Sequence, residues 1–181
     1  RRGAHVTSFR SLLEGHAVRW AGPAVDADLR GLACDSRRVR PGDLFVALRG
    51  HRVDGHRHAA AAVRAGAAAL LVEEPVGESV PTAVVSSTDK ILSTVAARFY
   101  GHPSRSLRVL GVTGTNGKTT ITYMMETLLR AAGRPAGVLG TIEYRWPGHA
   151  EPAVNTTPMA ADVQRLLAGM KAAGVTDVAM E

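Results

Sequence analysis

One segment constrains the fold of this chain more than any other. The apolar run LRVLGV (107–112) passes directly into TGTNGKTT (113–120) and then into the helical pattern ITYMMETLLRAAG (121–133). An apolar run of strand length, a glycine-punctuated turn and an amphipathic stretch, in that order, make a strand–loop–helix unit of an α/β layer. Gly114 and Gly117 let the backbone turn so that successive N–H groups point inward, and a helix starting near Lys118 adds its positive end. That concavity suits phosphate oxygens. The Lys118 ammonium can bridge the β- and γ-phosphates of a nucleotide, and the Thr119 hydroxyl can ligate Mg²⁺. The generic GxxxxGK[ST] expression asks for glycine where this chain has Val112. The strand before and the helix after therefore carry the assignment.

The same alternation runs on to the last residue. After the helix come a strand (AGVLGT, 136–141), an excursion (142–158), a helix (160–174) and a strand (VTDVAME, 175–181). Strand–helix alternation predicts a parallel sheet with right-handed crossovers. Upstream, LRGLACDS (29–36) and DLFVAL (43–48) read as strands around the Pro41-Gly42 turn. A Gly/His/Arg loop, an Ala-rich helix ending at Gly66 and the strands AALLV (68–72) and TAVVS (82–86) follow. Ser87 or Thr88 can cap a helix that puts Ile91, Leu92, Val95, Ala96 and Phe99 on one face. Gly101 and Pro103 then break the pattern, which places a boundary there: 1–103 as a small N-terminal α/β domain and 104–181 as the first part of a second α/β domain.

Composition narrows the partners. The chain has 181 residues, 45% of them hydrophobic and only 4% aromatic, so its core is built from Ala, Val and Leu. The net charge of +6 comes from scattered Arg singles and pairs without interleaved aromatics, a pattern that does not suit nucleic acid. Cys34 is the only cysteine, which leaves no internal disulfide and no cysteine-based zinc cluster. The most apolar stretch, 59–72, is broken by Arg64 and Gly66, so the chain reads as soluble, cytoplasmic and without membrane contact. His51, His56 and His58 are expected to be solvent-exposed loop histidines with no carboxylate fixed beside them and no metal. Asp35 and Ser36 suit the start of a turn, and Asn155-Thr156-Thr157 before Pro158 suits a helix cap; ligand binding is the competing reading of both.

Several stretches together resemble a known family. GVTGTNGKTT is similar to the ATP loop of the Mur ligases and of the folylpolyglutamate synthetases, and DSRRVRPGDLFVALRGHRVDGH resembles the UDP-binding N-terminal domain of MurE and MurF types. FYGHPSRSLRVLGVTGTNGKTT, GVLGTIEYR, NTTP and the terminal VAME look like the MurE type. The resemblance implies an ATP-dependent amide ligase that adds a diamino acid, meso-diaminopimelate or L-lysine, to UDP-N-acetylmuramoyl-L-Ala-D-Glu through an acyl phosphate. ATP and Mg²⁺ are the implied cofactors, the UDP-linked dipeptide and the diamino acid the implied partners, and a monomer the implied state.

The fold it implies is a small α/β UDP-binding domain followed by the start of a P-loop parallel-sheet ATPase domain. Carried over by position, Gly114, Thr115, Asn116, Gly117, Lys118, Thr119 and Thr120 bind ATP, with Lys118 catalytic; Thr119 and Glu181 hold the magnesium. Ser36, His51, Arg52, Val53, Asn155, Thr156 and Thr157 contact the UDP substrate. In such a ligase the chain is less than half of the enzyme, so 181 residues alone are expected to be inactive, with an open, frayed sheet edge after VAME. Two other readings stand beside this one: a Mur-like ligase with another substrate, and a non-catalytic P-loop module.

Overall fold

A computed structural model describes residues 7–23, 26–50, 54–77 and 79–181. Two compact units divide the chain, Arg1–Phe99 and Tyr100–Glu181.

In the first unit a short strand β1 (Thr7–Ser8) leads into one turn of helix, α1 (Phe9–Leu12), capped by the Ser8 hydroxyl. Strands β2 (Arg19–Ala21), β3 (Asp28–Leu29), β4 (Gly31–Ala33) and β5 (Asp43–Val46) follow. Then come α2 (Ala59–Arg64), β6 (Ala69–Val72), β7 (Thr82–Val84) and α3 (Thr88–Phe99). Strand β1 pairs with β3 alone, and the main sheet runs β2-β7-β6-β5-β4. Its last four strands are parallel, and β2 closes the β7 edge antiparallel. DLFV, ALLV and TAV are buried at every position, as strands inside a parallel layer must be.

Alternation along those strands sends Phe45, Leu70, Val72 and Val84 into one core cluster with Ala59 and Ala62 of α2. The alanines let that helix lie close to the sheet. On α3, Leu92, Val95, Ala96 and Phe99 are buried and Ile91 partly so, on the face the spacing predicts. The Ser87 hydroxyl accepts the Lys90 N–H at 3.5 Å as its cap. Elements β1, α1 and β2 lie where no sequence pattern stood out; Phe9 and Trp20 anchor them through an edge-to-face contact at 5.4 Å.

The second unit opens with a 3₁₀ turn at Pro103–Arg105 and β8 (Arg108–Gly111). It continues with α4 (Lys118–Ala131), β9 (Ala136–Leu139), the hairpin β10 (Glu143–Trp146) and β11 (His149–Pro152), α5 (Ala160–Ala172) and β12 (Asp177–Met180). Strand order is β11-β10-β9-β12-β8, with β9, β12 and β8 parallel and the hairpin antiparallel. The excursion at 142–158 thus supplies two strands that the alternation does not predict.

One expectation is corrected. Strand β12 is not an open edge: it lies between β9 and β8, and Val178 and Ala179 are fully buried. The sheet's edges are β11 and β8, and at the parallel end Arg108, Val109 and Gly111 of β8 face solvent. Asp177, at the buried start of β12, accepts from Arg134 Nε at 3.0 Å and from the Thr176 hydroxyl at 2.8 Å. Among the described residues no helix is long and apolar enough to cross a membrane.

Candidate active site

Strands β8 and β12 are parallel neighbours, so the loop leaving β8 and the residue ending β12 emerge at the same end of the sheet. Val112 N–H donates to Met180 O at 2.7 Å, which extends the ladder by one rung and launches the loop from a fixed point. Gly114 has φ +153° and Gly117 φ +76°, both in the region that favours glycine. Gly117 is the cap of α4, and its carbonyl accepts the Ile121 N–H at 2.9 Å. Thr115 and Asn116 are exposed on the loop, and Lys118, half-buried, donates from Nζ to Gly114 O at 2.8 Å. The ammonium is therefore held over the concave side of the turn. Helix α4 presents there the N–H groups of its first turn, which have no intrahelical acceptor. Thr120 is exposed, one step round the helix from half-buried Thr119.

Glu181 gathers the other side chains. It is 8% exposed, and its carboxylate accepts the Thr119 hydroxyl on Oε2 at 3.2 Å. The Thr141 hydroxyl reaches the same oxygen at 2.8 Å, and the Thr141 N–H reaches Oε1 at 3.3 Å. Thr157 donates to the Glu181 backbone carbonyl at 3.0 Å, and Thr156 lies 3.2 Å, hydroxyl to hydroxyl, from Thr141. Asn155 is held by its backbone: its N–H donates to Tyr144 Oη at 3.1 Å, and its carbonyl accepts from that phenol at 2.6 Å. The structure thus brings the glycine loop, the end of β12 and the 155–157 segment into one place.

A hard divalent cation takes oxygen ligands. The Thr119 hydroxyl beside a Glu181 carboxylate oxygen, at the opening of a helix, is a donor set that fits Mg²⁺. Sequence reasoning missed Thr141. It follows β9 immediately, but its relevance depends on β9 lying next to β12, which no local pattern states.

A second cluster lies in the first unit, at the carboxyl ends of β5 and β6. Ser36, partly buried, opens a 3₁₀ turn that Asp35 caps by accepting the Arg37 N–H at 3.0 Å. The Arg37 guanidinium also binds Asp35 at 2.7 Å, and chiefly for that reason the Asp35 carboxyl is lowered to about 2. Asp35 is thus a turn-former in the structure. His51, Arg52 and Val53 lie outside the described residues. Their flanks are tied down: Arg49 bridges to Asp54, and Gly55 N–H donates to Leu48 O at 2.9 Å.

The histidines require a second correction. His58 is exposed, but His56 is buried, with Nδ1 2.6 Å from Asp54 Oδ1 and Nε2 2.8 Å from the Glu73 N–H. A carboxylate is fixed beside it after all. Because Nε2 accepts a backbone N–H, the proton sits on Nδ1 and both ring nitrogens are engaged. Asp54, His56 and Glu74 approach one another closely enough for a metal, yet the imidazole has no lone pair left to offer one. Glu73 extends the network by accepting the Thr88 N–H at 2.8 Å and the Arg49 Nε at 3.1 Å.

Comparison with known proteins gives this geometry a family. The Mur ligase middle domain matches residues 112–181, and the model described as Mur ligase family, catalytic domain, matches residues 28–109. The chain belongs to the Mur ligase family. It is 44% identical over 163 residues to the UDP-N-acetylmuramoyl-L-alanyl-D-glutamate–2,6-diaminopimelate ligase of Geobacter metallireducens, covering 89% of this chain and 32% of that protein. A solved structure of an enzyme of that name matches with a TM-score of 0.71 at 24% identity, over 96% of this chain and 35% of the other, a likeness of fold. The MurF ligase of Thermotoga maritima in complex with ADP matches with a TM-score of 0.59 at 29% identity, over 82% and 31%. The chain spans about a third of the length of these relatives.

Proposed function

We propose that this chain forms the UDP-substrate and ATP-binding part of a MurE-type ligase, an ATP-dependent acid–amino-acid ligase of peptidoglycan precursor synthesis in the cytoplasm. The observation that carries the reading is the convergence of Thr119, at the end of the glycine loop, with Thr141 and Thr157 on Glu181, and of Thr156 on Thr141. A similar protein bearing the diaminopimelate ligase name supports the substrate class. Residues 1–103 are assigned to the uridine nucleotide, through Ser36 and the 51–53 segment. Residues 104–181 are assigned to ATP and to the phosphate and peptide end of the substrate, through Asn155, Thr156 and Thr157.

The chemistry has two displacements. An oxygen of the UDP-linked dipeptide's carboxylate attacks the γ-phosphorus of ATP and ADP leaves. The amine of the diamino acid then attacks the acyl carbon of the resulting acyl phosphate, the C–O bond to phosphate breaks, and the nitrogen loses a proton. Thr119 and Glu181 would hold Mg²⁺, which would supply charge stabilisation for the phosphoryl oxygens. Lys118 adds a fixed positive charge where negative charge builds in the first displacement, and the loop N–H groups orient the phosphates. The monomer and the choice between meso-diaminopimelate and L-lysine belong to the same proposal.

The test is a full-length protein carrying this segment, assayed for ADP release with UDP-N-acetylmuramoyl-L-Ala-D-Glu and each diamino acid. Lys118→Ala is expected to lower turnover by at least about 10²-fold. ADP release that depends on neither the UDP substrate nor Lys118 refutes the reading.

A further inference from the structure

Resting on that reading, we propose that Gly140 and Thr141 are positioning residues that fix the Glu181 carboxylate for the divalent cation of the nucleotide site. Thr141 is the only residue among the described hydrogen bonds that grips both oxygens of Glu181, its N–H on Oε1 at 3.3 Å and its hydroxyl on Oε2 at 2.8 Å. Two donors from one residue define the plane of a carboxylate as well as its position. A carboxylate has about four lone-pair sites, so these bonds leave room for a cation on the same group. The Thr119 hydroxyl, on the same Oε2 at 3.2 Å, is the second group that would hold the cation.

Gly140 acts by what it lacks. A Cβ built there falls 2.5 Å from Oε1 of Glu181, and its next nearest atoms, at 3.3 and 3.7 Å, belong to the same side chain. Any larger residue displaces the Glu181 carboxylate from this position while leaving every hydroxyl of the cluster in the chain. Gly140 itself is anchored, its N–H donating to Glu143 O at 3.3 Å, so it does not retreat freely.

The Thr141 hydroxyl has one proton. The ionised carboxylate accepts only, so that proton goes to Glu181, and the Thr141 oxygen is left to accept from Thr156, 3.2 Å away. Donation thus runs from Thr156 through Thr141 into Glu181, and Thr119 donates into the same carboxylate oxygen from helix α4. Outer partners of this kind set ligand orientation, and their loss typically costs about 10–100-fold in metal affinity. A hydroxyl that merely satisfied a buried carboxylate would matter for folding and not for the cation.

The experiment measures binding of a fluorescent ADP analogue to the full-length protein carrying this segment, with Mn²⁺ and with EDTA, taking the ratio of the two affinities within each variant. The wild type is expected to bind more tightly with Mn²⁺. Thr141→Val and Gly140→Ala are each expected to lose about tenfold or more of that gain, whereas Thr141→Ser keeps it. The Gly140 variant retains every hydroxyl, so a folding defect from the lost Thr141 bond cannot imitate the result. Full Mn²⁺ gain in both Thr141→Val and Gly140→Ala overturns the proposal, as does a loss in Thr141→Ser equal to that in Thr141→Val. A wild type that binds the nucleotide equally well with and without Mn²⁺ also overturns it, leaving the glycine loop as a nucleotide site. A wild type that binds no nucleotide refutes the underlying nucleotide reading instead.

Discussion

Replacing His56 with alanine isolates one buried network in the first unit. The wild-type imidazole accepts the Glu73 N–H at 2.8 Å and lies 2.6 Å from Asp54, with its side chain 3% exposed. In His56→Ala the Glu73 N–H loses its acceptor, which costs about 1–3 kcal/mol for a buried donor. The emptied volume adds about 1–2 kcal/mol of lost packing, taken below the large-aromatic range because an imidazole is smaller and more polar than a phenyl or indole ring. The expected total is about 3 kcal/mol. For a domain of about 100 residues each kcal/mol moves the midpoint by about 4–8 °C, so the first unit should melt at least about 12 °C earlier.

Trp20 reports that unit if Trp146, which belongs to the other, is first replaced with phenylalanine. His58→Ala, at an exposed position, should stay within about 0.5 kcal/mol of wild type. The tautomer is checked directly by ¹⁵N NMR, which should show the His56 proton on Nδ1. An unfolding midpoint for His56→Ala within about 2 °C of the parent protein would refute the argument.

Asp177 makes the second unit sensitive to acid. Burial pushes its carboxyl up, but bonds from Thr176 and Arg134 and the charges of Arg134 and Arg108 outweigh that and hold it below the ordinary value. A lowered folded value means the stabilisation is complete above about pH 3.9, the unfolded value. It is lost as pH falls through the folded value. Urea melts extended below the unfolded value, from about pH 2 to 7, should show that loss, and Asp177→Asn should cost about 3 kcal/mol at pH 7 while flattening the acid limb. Gly117→Ala meets no atom within 4 Å but forces a side chain to φ +76°, so it should cost about 1–2 kcal/mol by denaturant melts and weaken nucleotide binding more than stability. Gly169→Ala puts a Cβ 3.1 Å from Trp146, whose indole stacks on His149 at 3.9 Å. It should shift Trp146 emission and cost about 1–2 kcal/mol.

What the sequence by itself determined is local. Apolar runs bounded by Gly and Pro placed β5, β6, β8, β9 and β12, and a 3.6-residue period placed α3, α4 and α5, because burial on one face writes itself into spacing. The glycine loop was legible for the same reason: its two positive-φ positions and the lysine opening the helix are contiguous in the chain.

Tertiary structure decided what touches what. The strands of the hairpin β10–β11 were not legible in the excursion, because they bury only alternate or partial faces. His56 looked like a loop histidine, because one of its two partners is a backbone N–H seventeen residues away, and only that bond buries the ring and fixes it against Asp54. Glu181 and Thr141 are forty residues apart and meet only because β12 inserts between β9 and β8. Strand order in a parallel sheet is set by crossovers and by which apolar faces cover which, a global balance that no short window of residues contains. The loop could be read along the chain; the carboxylate clamp beside it existed only once the sheet had chosen its order.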